Sequence, residues 1–337
     1  MTPLRKLQEL IQAEFRHPVP AHVGRWHLVG GWLLFLVALQ ILSGILLMIY
    51  YRPSPDEAYE SVRYVMNDVR LGWLVRGMHY WGAHLLIVVL LLHLVRVYFF
   101  TAYRERELNW AIGLLLFLGV GAFAFTGMLL PWDQQAYWNA DAVRNALEHV
   151  PMVGKIILEL LWGGHELETG ALLRFYIFHV GLLPWLLGML IAAHLYLVNR
   201  QGLYTPSPFQ GEGQGEGQSP ASSRTYYDML LEGLFLALVT FGGLLTLAVL
   251  FTPTLGESID LLRPSPVQVS WYFWPVVGLF RLVSVELGVW LVGLGFVGLF
   301  LVPLLRVRWM ALGLGALAVL GVLVLTVLGY LTQGGPR

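Results

Sequence analysis

The chain contains no cysteine among its 337 residues, and only 12% of them are charged. The absence of cysteine excludes disulfides, zinc sites built on thiolates, iron–sulfur ligation and thioether attachment of a cofactor. A bound metal would therefore rest on histidine, carboxylate or methionine side chains. Soluble proteins carry about 25% charged residues. The low charge, the 57% of hydrophobic residues and the mean hydropathy of +0.66 place most of the chain in lipid.

An excess of charge of one sign is also missing, because 21 lysine and arginine residues balance 21 aspartate and glutamate residues. A protein that binds nucleic acid needs a basic excess to neutralise phosphates, so we expect no nucleic-acid partner. What the chain does contain is ten histidines among few other polar residues. Their positions are the strongest indication of its chemistry.

Seven apolar windows are long enough to cross a bilayer as helices, which needs roughly 20 residues each. They predict an all-α integral membrane protein, with a four-helix bundle followed by three further transmembrane helices. The predicted spans are residues 28–51, 76–98, 110–130, 173–197, 229–251, 287–305 and 309–331. Residues 271–280 are equally apolar but too short to cross, which favours an interfacial or protein-buried segment.

The composition divides the chain into four segments. Residues 1–27 alternate charged and apolar positions without a signal-peptide hydrophobic run, which favours an amphipathic surface helix. Residues 28–204 hold the first four spans, 205–224 form a flexible linker rich in Gly, Gln, Ser and Pro, and 225–337 hold the last three. Arginine and lysine are slightly denser in the loops on the N-terminal side, which favours a cytoplasmic N-terminus.

Two of the predicted helices carry two histidines each. His79 and His93 lie 14 residues apart on the second span, and His179 and His194 lie 15 apart on the fourth. At 1.5 Å and 100° per residue, each pair stays near one helix face with its members roughly 21 Å apart. Because consecutive helices are antiparallel, the four residues form two His/His pairs at matched depths. Such pairs predict two b-type haems, each ligated by two imidazoles.

Glycines repeat the same spacing on the neighbouring helices. Gly30 and Gly44 on the first span are 14 residues apart, as are Gly113 and Gly127 on the third. A missing side chain beside each imidazole would let a flat macrocycle approach the backbone. Taken singly, each glycine also fits ordinary helix packing, and each histidine fits a proton relay in a haemless transporter. The coincidence of all eight positions favours haem.

Two arginines and one further histidine complete this prediction. Arg76 and Arg96 lie three residues from His79 and His93, where they can reach haem propionates. His84 is rotated about 140° from the histidine stripe, so we expect that it is not an iron ligand.

Several stretches resemble the cytochrome b of quinol:cytochrome c and quinol:plastocyanin oxidoreductases, most closely its bf branch. Within residues 20–205 they include HVGRWHLVGG, LLHLVRVY, TGMLLPWDQQAYW, LLRFYIFHVGLLPWLL and AAHLYLVNRQG. After the linker, SRTYYDMLLEGL and WYFWPVVGLFRLV resemble the separate fourth subunit of bf complexes. The resemblance implies that these two subunits are fused in one chain.

The resemblance also implies a function. The chain would be the dihaem subunit of a quinol:cytochrome c oxidoreductase that transfers electrons across the membrane from quinol oxidation to quinone reduction, with proton translocation. His79 and His179 would bind the low-potential haem, and His93 and His194 the high-potential haem. The implied partners are a Rieske iron–sulfur protein and a c-type cytochrome, in a homodimeric complex of a bacterial-type inner membrane.

The resemblance places two quinone sites on this sequence. The oxidation site would be lined by residues of two loops: Pro131, Trp132, Tyr137, Trp138, Trp271, Tyr272 and Pro275. The reduction site would use Asp228 at the start of the fifth span, although an acid there is equally well explained as a favourable charge at a helix N-terminus.

One departure from the family's pattern concerns the oxidation site. The family's Pro-Glu-Trp-Tyr stands here as Val269, Ser270, Trp271 and Tyr272, and serine is no base at neutral pH. Either another loop acid accepts the quinol proton or quinol oxidation is altered. The candidate acids are Asp133, Asp141, Glu257 and Asp260. The alternative function is a dihaem membrane anchor that carries electrons one way between quinone and another peripheral oxidoreductase, without bifurcation.

A second departure concerns an additional cofactor. Leu28 stands where the bf branch has the cysteine that binds an extra covalent haem. We therefore expect no covalent c-type haem.

Overall fold

The computed structural model describes residues 19, 24–151, 153–163, 170–202, 225–305 and 307–332. Within these ranges the chain is helical and forms no strand. Its helices are α1 Leu28–Met48, α2 Ala58–Asn67, α3 Gly72–Phe99, α4 Glu107–Leu129, α5 Gln134–Glu148, α6 Val153–Ile157, α7 Gly170–Gln201, α8 Tyr226–Leu250, α9 Trp274–Leu282, α10 Val285–Leu301 and α11 Arg308–Thr332.

Seven of these helices are long and apolar enough to span a membrane, namely α1, α3, α4, α7, α8, α10 with its 3-10 extension to Leu304, and α11. The predicted all-α membrane fold and the seven spans are therefore confirmed. The structure extends α3 by four residues at its start and α7 by three at its start and four at its end, compared with the predicted windows.

The short apolar segment after the long second loop is too short to cross, as predicted. It forms a 3-10 turn, Trp271–Phe273, followed by α9, which packs along α11. Two glycines permit this close approach, because a Cβ on Gly278 would overlap the carbonyl oxygen of Leu325 and one on Gly329 would overlap that of Trp274. The packing of α9 on α11 fixes the position of the turn that carries Trp271.

Hydrogen bonds join the four-helix segment to the three-helix segment that follows the linker. Trp81 Nε1 donates to the carbonyl of Phe251 at 2.8 Å, and Trp110 Nε1 donates to that of Leu299 at 2.8 Å. The hydroxyl of Tyr98 donates to the carbonyl of Ala311 at 2.6 Å. The predicted N-terminal amphipathic helix and the linker lie outside the described residues, apart from residue 19 and residues 24–27 of the former.

Candidate functional site: two histidine pairs and an aromatic loop cluster

The structure brings His79 of α3 and His179 of α7 together. Their ring centroids are 6.4 Å apart and their planes make an angle of 67°. An imidazole nitrogen binds a metal ion at about 2.0–2.1 Å and lies about 1.1 Å from its ring centre, so an ion held between two facing imidazoles separates the centroids by about 6.3 Å. The observed separation fits an iron atom between these two residues.

Hydroxyl groups on the neighbouring helices set the tautomer of this pair. Ser43 of α1 donates to the carbonyl of Leu39 at 2.7 Å, and its oxygen lies 2.9 Å from Nδ1 of His79. Thr126 of α4 likewise donates to Ala122 at 2.8 Å and lies 3.0 Å from Nδ1 of His179. Because each hydroxyl proton is already used, each Nδ1–H must donate to the hydroxyl oxygen. Each Nε2 therefore keeps a free lone pair for a metal ion.

A glycine follows each of these hydroxyl residues and leaves room for the imidazole. A Cβ on Gly44 would lie 3.3 Å from Cε1 of His79, and one on Gly127 would lie only 2.7 Å from Cε1 of His179. A side chain at Gly127 would therefore displace the imidazole. The Ser–Gly and Thr–Gly pairs form one cradle for each ring.

The second pair, His93 and His194, lines a cavity of about 280 Å³ between α1, α3, α4 and α7. Gly30, Gly113 and Arg96 line the same cavity. A Cβ on Gly113 would lie 3.7 Å from Cε1 of His194, whereas nothing lies within 4 Å of Gly30. Within the described part of the chain, neither histidine has a hydrogen-bond partner at its buried Nδ1. Two imidazoles facing one apolar cavity also fit a haem.

A π-helical turn accounts for the unequal histidine spacing. Residues Ile177–Leu182 of α7, which include His179, form a π turn, and Pro184 follows it. Proline lacks the N–H that would bond the carbonyl four residues earlier, and a π turn accommodates one extra residue in the helix. The 15-residue interval in α7 therefore matches the 14-residue interval in α3, so that both pairs align.

Arg76 and Asp228 have protein partners in the structure. Arg76 donates to the carbonyl of Pro253 at 2.8 Å. Asp228 and Thr225 form a capping box at the start of α8, in which the carboxylate accepts from the Thr225 N–H and hydroxyl, each at 2.8 Å. The geometry of Asp228 thus matches the helix-cap interpretation, and its role in quinone reduction stays a prediction.

The first group of predicted oxidation-site residues lies between α4 and α5. Trp132 is only 3% exposed and adopts a left-handed backbone conformation with φ of 49°, which is strained for a residue with a side chain. Its ring contacts Tyr137, which in turn contacts Trp138, with centroids 5.9 and 5.4 Å apart. Nε1 of Trp138 is buried without a hydrogen-bond partner in the described ranges. Pro131 is half-buried beside Trp132.

The second group lies on the loop before α9 and contacts α3 instead. Trp271 Nε1 donates to Nδ1 of His84 at 2.9 Å, and the rings of Tyr272 and His84 are 5.5 Å apart. Burial raises the pKa of Tyr272, with a smaller opposite effect from its hydrogen bond with Ser270. Pro275 lies in the first turn of α9. No ring contact joins this group to Tyr137 or Trp138 within the described residues.

The four candidate acids are engaged elsewhere. Asp133 caps α5 by accepting from the N–H of Ala136 at 2.9 Å and also accepts from that of Gly256 at 3.0 Å. Asp141 pairs with Arg144 at 2.9 Å. Glu257 and Asp260 are exposed and lie near Arg263, at 3.8 and 4.0 Å.

Comparison with known proteins identifies the family. Residues 15–202 match the family model for cytochrome b/b6/petB. Cytochrome b6 of Synechococcus sp. (strain RCC307) is 38% identical over 202 residues, which is 60% of this chain and 93% of that protein. Cytochrome b6 of Prochlorococcus marinus (strain MIT 9303) is 39% identical over 189 residues, 56% of this chain and 87% of that protein.

The fold likeness extends beyond the matched region. A solved structure described as a hyperthermophilic respiratory Complex III aligns with a TM-score of 0.77 at 22% identity, covering 98% of this chain and 95% of that one. The three helices after the linker therefore share its fold as well. The chain belongs to the cytochrome b/b6 family of membrane-bound, b-haem electron-transport proteins.

Proposed function

We propose that the chain is the dihaem cytochrome b subunit of a quinol:cytochrome c oxidoreductase of the bc/bf type. In this function, electrons from quinol oxidation reduce a quinone at the opposite membrane face, and protons are translocated. The observation that carries the proposal is the geometry of two histidine pairs on antiparallel helices, one with ring centroids 6.4 Å apart and the other lining one cavity. The haems bound there would supply one-electron redox chemistry.

The chain's own residues would hold these groups at two depths. His79 and His179 would bind one haem through Nε2, because Ser43 and Thr126 occupy their Nδ1–H groups. His93 and His194 would bind the other, with Arg96 at the same cavity. At 1.5 Å per residue, 14 residues of α3 separate the two levels by about 21 Å, which spans most of the hydrocarbon core.

At the oxidation site the residues would bind quinol and exclude water. Trp132 and Tyr272 supply buried aromatic surface, and the raised pKa of Tyr272 keeps its hydroxyl protonated, so that it can donate a hydrogen bond. Ser270 has no basic group to accept a proton. Among the candidate acids, Asp133 and Asp141 are held by their own partners, so their use would require these contacts to open.

The rest of the assembly follows from the same proposal. We expect a Rieske iron–sulfur protein and a c-type cytochrome as partners, a homodimeric complex, and a bacterial-type inner membrane with the N-terminus in the cytoplasm. The absence of cysteine leaves no thioether for a covalent haem at Leu28.

Ser270 supports a second candidate function. A chain without a proton acceptor on this loop fits a dihaem membrane anchor that passes electrons one way between quinone and another peripheral oxidoreductase. The two functions differ in their partners and in bifurcation, which makes them separable in one preparation.

The test is purification of the complex through a tag on this chain. The proposal expects a co-purified Rieske protein and quinol-dependent reduction of a c-type cytochrome. Ser270→Ala should leave this activity nearly unchanged, since the hydroxyl is not a base. Quinol-dependent haem reduction without a Rieske partner or cytochrome c reduction would favour the anchor.

A further inference from the structure

His84 is a polar side chain in a membrane-spanning helix that neither histidine pair uses. It lies half-buried on α3, and its ring centroid is 4.5 Å from Tyr80, 5.6 Å from Trp81 and 5.5 Å from Tyr272. These neighbours form a flat aromatic surface around the imidazole. A histidine at membrane depth needs hydrogen-bond partners for its ring nitrogens, because lipid supplies none.

Trp271 determines which ring nitrogen carries the proton. Its indole Nε1–H donates to Nδ1 of His84 at 2.9 Å. An indole nitrogen can only donate, so Nδ1 must be the accepting nitrogen. The neutral imidazole then carries its proton on Nε2 and is a donor at that atom.

The Nε2–H of His84 has no acceptor in the part of the chain that the structure describes. Its titratable ring neighbours are Tyr80 and Tyr272, and neither forms a hydrogen bond with Nε2. The acceptor must therefore come from outside these residues. The same loop carries no carboxylate near His84, because the nearby loop acids face α5 or Arg263.

We propose that His84 binds the head group of quinol or quinone by donating its Nε2–H to one of the head-group oxygens. This inference rests on the proposed function. A quinone is a flat, apolar molecule that reaches the site from lipid and presents oxygen acceptors, which suits an imidazole donor among aromatic rings. Trp271 is a positioning residue, because its indole N–H keeps His84 in the donating tautomer.

The experiment measures the quinol KM of the purified complex, with a short-chain quinol as substrate and a soluble c-type cytochrome as acceptor. His84→Phe keeps an aromatic ring but removes the donor, and should raise KM about tenfold, which corresponds to about 1.4 kcal/mol. His84→Gln retains an N–H donor and should stay within about threefold of the wild type. His149→Phe replaces an exposed histidine of the C-terminal end of α5 and should change nothing.

Each result decides the proposal. A KM for His84→Phe within twofold of the wild type, in a complex with an unchanged haem spectrum, would overturn the role of His84 alone and would leave a lipid ester carbonyl as the acceptor. A wild-type complex with no quinol turnover would overturn the proposed function and, with it, this role.

A second measurement needs no variant and covers the case in which His84→Phe does not assemble. A photoreactive azidoquinone, bound to the wild-type complex and illuminated, should label the peptide that contains residues 80–88, with the labelling suppressed by excess quinone. Labelling confined to other peptides would contradict the proposal.

Discussion

At the scale of single residues, the site depends on small and hydroxyl-bearing side chains as much as on the histidines. Ser43 and Thr126 hold the Nδ1–H of His79 and His179, and the glycine after each leaves room for the ring. The spacing of histidines and glycines is visible in the sequence. The hydroxyls have a signal too, because each directly precedes a predicted glycine, but only the structure shows that they contact the imidazoles.

A side chain at Gly127 should prevent haem binding by the pair His79/His179. The Cβ of Gly127→Val would lie 2.7 Å from Cε1 of His179 and would push the ring away from its partner. We expect the haem content of the purified chain to fall from two to one. The matched control is Gly121→Val on the same helix, where nothing lies within 4 Å. Two haems in Gly127→Val would refute the cradle.

Ser43 should tune the redox potential of the same haem. Ser43→Ala removes the acceptor of the His79 Nδ1–H, which makes the imidazole less basic and the oxidised iron less stable. A hydrogen bond worth about 0.5–1.5 kcal/mol corresponds to an upward shift of roughly 20–60 mV for one electron. Redox titration of the haem absorbance measures it.

Thr246→Ala provides the control for this shift, because Thr246 bonds only its own helix, at 2.9 Å. Its haem potentials should equal those of the wild type. A potential that stays constant or falls in Ser43→Ala would disprove the tuning role.

At the scale of helices, the sequence predicts which segments span the membrane but not all of their ends. α3 begins at Gly72, because Leu71 adopts a left-handed conformation and a Cβ at position 72 would overlap the carbonyl of Val65. That contact involves the neighbouring α2, so hydropathy alone does not reveal it. The π turn at Ile177–Leu182 was missed for a different reason. Two α-helices with intervals of 14 and 15 residues are both compatible with one face, and Pro184 alone did not distinguish them.

The packing of α9 on α11 should depend on Gly278. Gly278→Val would overlap the carbonyl oxygen of Leu325, and such overpacking typically costs about 1–3 kcal/mol. We expect a lower unfolding temperature and, because α9 follows Trp271 directly, weaker quinol oxidation. Gly293→Val in α10, where nothing lies within 4 Å, is the control. An equal loss of stability in both variants would argue against this packing role.

At the scale of the whole molecule, the two predicted units form one body around the site. The loop after α8 contacts α5, where Asn139 donates to the carbonyl of Gln268 at 2.8 Å, and α3, where Trp271 meets His84. The last contact joins residues 187 positions apart. The sequence identifies each partner as notable but not their proximity, because the positions of loops follow from tertiary packing.

These contacts should hold the two units together without a continuous chain. A protease site placed within residues 205–224 and cleaved after purification should leave two fragments that remain associated with both haems. Size-exclusion chromatography with haem absorbance measures this, and the uncleaved protein is the control. Separation of the fragments would show that the linker, rather than the interhelical contacts, maintains the assembly.

The most direct test of the central claim is the haem content and spectrum of the purified chain and of its His79→Ala variant. We predict two low-spin haems with bis-imidazole spectra in the wild type, and one in the variant, since His179 loses its partner while His93 and His194 keep theirs. A wild-type chain with fewer than two such haems, or a His79→Ala chain that retains both, would contradict the proposed pairing.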